Sequence, residues 1–474
     1  MKSNNSKNLS CTNISNIPSP LKNLLSPIVI LITLGLLYLT INIDIYFPLP
    51  VIVKAIIGLI ILSISGTILG KLWNQKSEYG LILFKSQMLI KTIDIFANKY
   101  KKYLQFMADV ALTWGLGLLG SYIVYINTKN IKRTIATSIV GIVLLAVTLF
   151  IISPVISQLI PSIIQGIDYT KAYSQTQASI NEPIIILTQI LFVIGGFMLS
   201  FTLTLIYYAG FTLANLISVF TEGGIPLEPT TTAIIPGVSI PFIEGVLALI
   251  IVLFVHEVSH GLLARVAKVK LKSVGVVLLG ILPVGAFVEP DDKELNTKKT
   301  IDRVRVYIAG VGANFITMML FFIIFLAIQP IIISSSQTVY VYAGNMENYT
   351  GQEVISLNNI TIESIDFENL PYTSGDTVLI KTTETEFEAI VPESGKVGIM
   401  GNGKINDPLV LMLFNTIALI LALNYFVAIF NLIPISILDG YYILESVISK
   451  NKIKWISYAL IASMISMFLP WLFK

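Results

Sequence analysis

FVHEVSHGLL, residues 254–263, carries both histidines of a 474-residue chain. His256 and His260 stand four apart, so on a helix they share one face about one turn apart. Glu257 lies roughly 100° further round. The stretch sits in an apolar run, where ionisable groups are costly, and three in one turn require a use. Two imidazoles at this spacing can converge on one ion, with the glutamate beside it. This is the HExxH pattern of zinc peptidases: neutral imidazoles hold the metal and the glutamate takes a proton from water. The bland alternative is a pair of core histidines satisfied by a neighbouring acid. It gives no reason for both histidines of the chain to fall in one turn.

A catalytic zinc takes three protein ligands. No third histidine exists, and the single cysteine, Cys11, lies far away near the N-terminus. The third ligand is therefore an acid, and two stand out. Glu289, in GAFVEPDD, opens a charged run 29 residues after His260. Asp439, in NLIPISILDGYY, stands alone between apolar segments. Asp439-Gly440 also reads as an ordinary turn, so the residues alone leave both acids open.

The chain is 54% hydrophobic and 12% charged, against about 25% charged in soluble domains. Apolar runs long enough to span a bilayer recur near 27–43, 51–70, 106–127, 134–158, 183–207, 243–264, 304–330, 408–430 and 455–472. The expected fold is an α-helical polytopic membrane protein of about nine spans. The run from 183 to 220 is longer than one span needs and could tilt, continue along the interface or hide a re-entrant turn. Residues 1–26 read as a disordered tail, 27–239 as an N-terminal membrane region, 240–330 and 408–474 as two parts of a catalytic membrane core. Between them, residues 331–407 alternate in short strands with turn signals at Asn358-Asn359 and Ser374-Gly375-Asp376. The net charge of +3 forms no basic stripe, which argues against a nucleic-acid partner. A lone cysteine excludes an internal disulfide. No internal repeat supports a transporter of duplicated halves.

Lysine and arginine in short loops set orientation. Residues 71–104 hold seven lysines against Glu78 and Asp94, which places that loop in the cytoplasm. Counting onward, the histidine helix enters from outside and ends inside, before Arg265, Lys268, Lys270 and Lys272. Lys129, Lys132 and Arg133 break the rule, because the count puts them outside. His256 is nine residues before Arg265, roughly 13 Å below the cytoplasmic face at 1.5 Å per residue. The same count puts the N-terminus in the cytoplasm. It puts 331–407, with eleven acids and three lysines, outside, where Asn348-Tyr349-Thr350 and Asn359-Ile360-Thr361 form glycosylation-type sequons.

These motifs together resemble the site-2 protease family of intramembrane metalloproteases. HEVSHG at 256–261 matches the family's HExxHG, AGVGAN at 309–314 resembles its AGPxxN, and NLIPISILDG at 431–440 matches its NxxPxxxxDG. GILPVGAFVEPD at 280–291 resembles the hairpin that archaeal and bacterial relatives insert between the first two core helices. Val311 stands where the family often has proline. The match covers roughly residues 240–450. The resemblance implies one zinc per chain held by His256, His260 and Asp439, with Glu257 as general base. It implies that Asn314 and Asn431 hold the substrate backbone or the oxyanion, a role an uncharged amide donor can fill. It makes the β-rich insert PDZ-like, and it makes transmembrane proteins the substrates and the lipid bilayer the medium. The strand-like runs in 272–290, punctuated by Gly275, Gly280 and Gly285, are expected to form a membrane-associated hairpin with an edge near the active site. A substrate helix must unwind to be cut, and such an edge could accept it by strand addition. Two rivals remain, a catalytically silent relative that binds membrane partners and a metal transporter or sensor. The first does not need Glu257, and the second needs several ligand clusters along a path.

Overall fold

The structure is a computed structural model. It describes residues 19–42, 51–75, 77–163, 182–222, 239–334, 352–361, 372–391 and 407–470, with 236–237, 339–341, 399–401 and 405. Most of the expected tail lies outside the described residues, although the first helix, α1, already begins at Ser19 (Ser19–Ile41). Six helices among the described residues are long and apolar enough to cross a membrane: Lys101–Thr128, Ile131–Ile160, Gln189–Thr221, Phe242–Val266, Thr300–Ile332 and Pro408–Asn431. The protein is a multi-pass helical membrane protein, and six of the nine expected spans are found among the described residues. Two of the missing three are shorter apolar helices, Leu24–Thr40 and Ile56–Leu72. The third, at the C-terminal end, is a 17-residue helix, Lys450–Ser466, whose first two turns carry Lys450, Lys452 and Lys454.

The chain divides into two compact units, residues 1–320 with 419–474 and residues 321–418. In the first, α1 is followed by α2 (Val51–Leu72), strands β1 (Ser77–Glu78) and β2 (Leu81–Lys85), α3 (Gln87–Lys99) and α4 (Lys101–Thr128). α4 is not straight. Gly117 takes φ 59° and ψ −142°, a region that favours glycine, and there the chain folds back. Thr113 Oγ1 lies 3.1 Å from Ser121 Oγ, although eight residues of straight helix would separate them by about 12 Å. A Cβ at Gly117 would stand 2.5 Å from the carbonyl oxygen of Val193 and 2.8 Å from the nitrogen of Gly196. The reversal brings Arg133, at the start of α5 (Ile131–Val147), back to Asp109 near the start of α4, 2.6 Å away. The three basic residues that broke the orientation rule thus follow a chain that has returned. After α5 come a π turn (Thr148–Ile152), α6 (Ser153–Ile163) and α7 (Glu182–Glu222), which leaves helical geometry at Gly196 with φ 57°. The overlong run therefore contains a break.

The histidine helix is α8 (Phe242–Val266). It feeds β3 (Leu271–Leu279) and β4 (Leu282–Pro290), the expected hairpin. Its two-residue loop places Gly280 at φ 62°, as a tight hairpin turn requires. β1 and β2 extend it into a four-stranded antiparallel sheet in the order β1-β2-β3-β4. β4 is an outer strand and packs on α8. α3 also packs on α8, with Arg265 paired to Asp94. The unit is completed by α9 (Asp292–Asn296), most of α10 (Thr300–Ser334), the end of α11 (Pro408–Asn431), α12 (Asp439–Glu445) and α13 (Lys450–Ser466).

In the second unit, strands β5 (Val339–Val341), β6 (Glu353–Leu357), β7 (Ile360–Thr361), β8 (Thr377–Thr382), β9 (Glu386–Ile390) and β10 (Ile399–Gly401) form an antiparallel sheet. Alternate residues Val354, Val378, Ile380 and Ala389, with Leu357 and Val391, make its small core. The β-rich reading of this insert agrees with the sheet. The described residues between 335 and 407 show this sheet and do not confirm the PDZ-like part of the expectation. The sequon at Asn348 lies outside the described residues; Asn359 sits exposed in the turn after β6.

Candidate metal centre

α8 delivers His256 and His260 on one face, and Asp439 arrives as the first residue of α12. The loop between α11 and α12 turns tightly enough that a Cβ on Gly440 would lie 2.1 Å from the carbonyl oxygen of Leu432. Glycine after Asp439 is therefore required by close backbone approach. His256 Nε2 is 3.1 Å from His260 Nε2, and Asp439 Oδ2 lies 3.2 Å from the first and 3.4 Å from the second. Ligands bonded to one zinc at 2.0–2.1 Å in tetrahedral geometry stand roughly 3.3 Å apart. The three atoms thus sit at the separations of three corners around one ion. Among the described residues this is the one cluster of three such groups.

The donor set fits a cation on chemical grounds too. His260 Nδ1 donates to the carbonyl oxygen of Val306 at 2.7 Å, which leaves the lone pair on Nε2 facing the cluster. Asp439 Oδ2 is buried without a hydrogen-bond partner. Lone pairs facing one another around a buried carboxylate oxygen repel unless a positive ion lies among them. His256 Nδ1 meets the Asn314 amide at 3.1 Å, and Asn314 is fully buried. A metal on His256 Nε2 requires the proton on Nδ1, which must then donate, so the amide oxygen is the matching partner. With the amide nitrogen in that place, Asn314 Oδ1 is buried and unpartnered. A half-turn of the amide satisfies both groups.

α10 closes one side of the cluster. A Cβ on Gly310 would lie 2.5 Å from His256 Cε1 and from His260 Nε2. On another side, the backbone nitrogen of Val288 in β4 donates to Glu257 Oε2 at 3.2 Å. Val288 faces Val274 across the hairpin, and this bond shows that its N–H points away from β3, toward the outer edge. The rival acid, Glu289, is exposed and accepts from Ser273 Oγ at 2.6 Å. The structure does not bring it to the cluster. Asn431 ends α11 and donates through Nδ2 to its own Val427 carbonyl at 3.0 Å. Sequence reasoning assigned no role to Gly310, Val306 or Val288. The glycine lay inside a quoted motif, but backbone groups have no sequence signal.

A multi-pass helical membrane protein whose HExxH helix meets an aspartate in a cluster that could hold a metal ion has the layout of a membrane-embedded metallopeptidase site. Residues 244–473 match the family model of peptidase family M50, the site-2 protease family, and this part of the chain belongs to it. An uncharacterized protein of Methanocaldococcus jannaschii is 30% identical over 252 residues, covering 49% of this chain and 66% of that relative. The chain thus spans just under two thirds of the relative's length. No solved structure gives a significant match.

Proposed function

We propose that this protein is a zinc endopeptidase that hydrolyses peptide bonds in or near transmembrane segments of other membrane proteins. The observation that carries the reading is the convergence of His256, His260 and Asp439 at tetrahedral spacing, with Glu257 beside them. Zinc bound by these three would polarise a scissile carbonyl and make water more acidic. Glu257 takes the water proton at a carboxylate oxygen and delivers it to the leaving amine nitrogen. The Val288 amide holds that carboxylate against the edge of β4, where an extended substrate would lie. By strand alternation the N–H groups of Ala286 and Val288 share that edge. Asn314 acts through His256, whose tautomer and ring orientation it fixes. Asn431 keeps one amide N–H beyond its bond to Val427 and is the donor proposed for the oxyanion.

The site lies inside the bilayer nearer the cytoplasmic face, because Arg265 and the basic hairpin follow the histidines. With α4 folded back, Lys129, Lys132 and Arg133 agree with a cytoplasmic loop, and α7 turning back likewise at Gly196, which takes the same backbone conformation as Gly117, keeps α8 ending on that side. A polar cavity of about 310 Å³, lined by Asn296, Arg303, Tyr307, Glu445, Ser446 and Lys450, lies at the end of α12 opposite Asp439. Water reaching the cluster from that side would enter by this cavity and pass along α12. The N-terminus is cytoplasmic and the β insert extracytoplasmic, where it would screen incoming ectodomains. The intact Glu257 argues against a silent scaffold, and a single cluster among the described residues argues against a transport path. The test is cleavage of a model transmembrane substrate by purified protein in liposomes. Chelation should abolish it and zinc should restore it; cleavage indifferent to chelation would sink the proposal.

A further inference from the structure

Asp109 is a fully buried carboxylate on α4, outside the part of the chain that matches the peptidase family. It receives Nε of Arg305 at 2.7 Å on one oxygen and Nη2 of Arg305 at 2.8 Å on the other. Nε of Arg133 adds a third bond at 2.6 Å. Arg305 is itself buried and lies in the second turn of α10. A bidentate guanidinium–carboxylate pair fixes direction as well as distance. It therefore sets both the height and the rotation of α10 against α4. The next residue, Val306, supplies the carbonyl that accepts from His260 Nδ1. One and two turns further along, the same helix presents Gly310 against both imidazoles and Asn314 to His256 Nδ1. Every contact that orients the two histidines from α10 lies downstream of this one clamp.

We infer that Asp109 is a positioning residue for the metal centre: through Arg305 it seats α10, and α10 orients His256 and His260. The N-terminal membrane region is then a working part of the peptidase and not an appended anchor. A carboxylate held between two arginines inside a membrane bundle is costly to assemble, and among the described residues its ionic partners are these two arginines. The placement of α10 gives it a use. The inference rests on the metal-centre reading, so its test separates the two.

The full-length protein is purified in detergent, loaded with cobalt in place of zinc, and its visible absorption bands are recorded beside kcat and KM. Asp109→Asn keeps the size and removes the charge. The expected result is a changed cobalt spectrum and a fall in kcat of at least tenfold, with KM within about twofold of wild type. Ile156→Val, a mild packing loss in the same membrane region, should leave spectrum and kcat unchanged. An Asp109→Asn protein with the wild-type spectrum and kcat overturns the inference. Should that variant fail to fold, Arg305→Lys decides by the same readings, since it keeps the charge and loses the two-point hold. An unchanged spectrum there is equally fatal. A folded wild-type protein that takes up no cobalt overturns the metal centre, and this inference with it.

Discussion

Gly310→Ala adds a single methyl group to the helix that backs the metal cluster. The new Cβ would stand 2.5 Å from His256 Cε1 and His260 Nε2 and 2.6 Å from His256 Nε2. Ordinary contact begins near 3.4 Å, so about 0.9 Å of overlap must be relieved. Neither imidazole is free to swing, because His260 is tied to Val306 and His256 to Asn314. Ligand atoms tolerate only about 0.2 Å of displacement before coordination suffers. Overpacking of this kind costs about 1–3 kcal/mol, which corresponds to roughly 5- to 150-fold in zinc affinity if the ligands yield in place of the helix. The assay is chelator competition for zinc in detergent. Gly210→Ala is the control, since nothing lies within 4 Å of the Cβ it would add. A Gly310→Ala protein that holds zinc as tightly as wild type would refute the placement of α10 against the ligands.

Asp439→Ala should purify with little zinc while Glu289→Ala keeps one ion per chain; elemental analysis giving the reverse would return the third ligand to Glu289. Ala286→Pro removes an outward N–H from the β4 edge and should raise KM for a transmembrane substrate severalfold without emptying the metal site. An unchanged KM would mean the substrate does not add to this edge. A cysteine at the exposed Ser374, with Cys11 removed, should react with a membrane-impermeant thiol reagent in intact cells; labelling only after lysis would invert the proposed orientation.

What could be read from the sequence follows the range of the interactions involved. His256, Glu257 and His260 were legible because their geometry is set within one turn of one helix. Asp439 was not, since nothing local says that a distant Asp-Gly step returns to α8; a resemblance to a family supplied it. The hairpin announced itself by glycines between apolar runs. Its continuation through Leu81–Lys85 was missed, because the lysines around that strand outweighed the short LILF run after Gly80. The fold-back of α4 was hidden by an unbroken apolar pattern, with the cluster Gly115, Gly117 and Gly120 as its local sign. The three basic residues that seemed misplaced were its other trace. Asn314 was expected to hold the substrate backbone or the oxyanion; the structure puts its amide 3.1 Å from His256 Nδ1, a placement that depends on helix rotation and not on residue type. Asp109 drew no notice, since its partner Arg305 is nearly two hundred positions away.

The most direct test of the central claim compares wild type with Glu257→Gln in the same liposomes, with zinc content and cleavage of one transmembrane substrate measured on each sample. The amide keeps the shape of the side chain but cannot accept the water proton. The expected result is one zinc in both proteins and a rate reduced about 10²–10⁴-fold in the variant. A Glu257→Gln protein that cleaves at the wild-type rate would contradict the assignment of the base, and with it the chemistry proposed for this site.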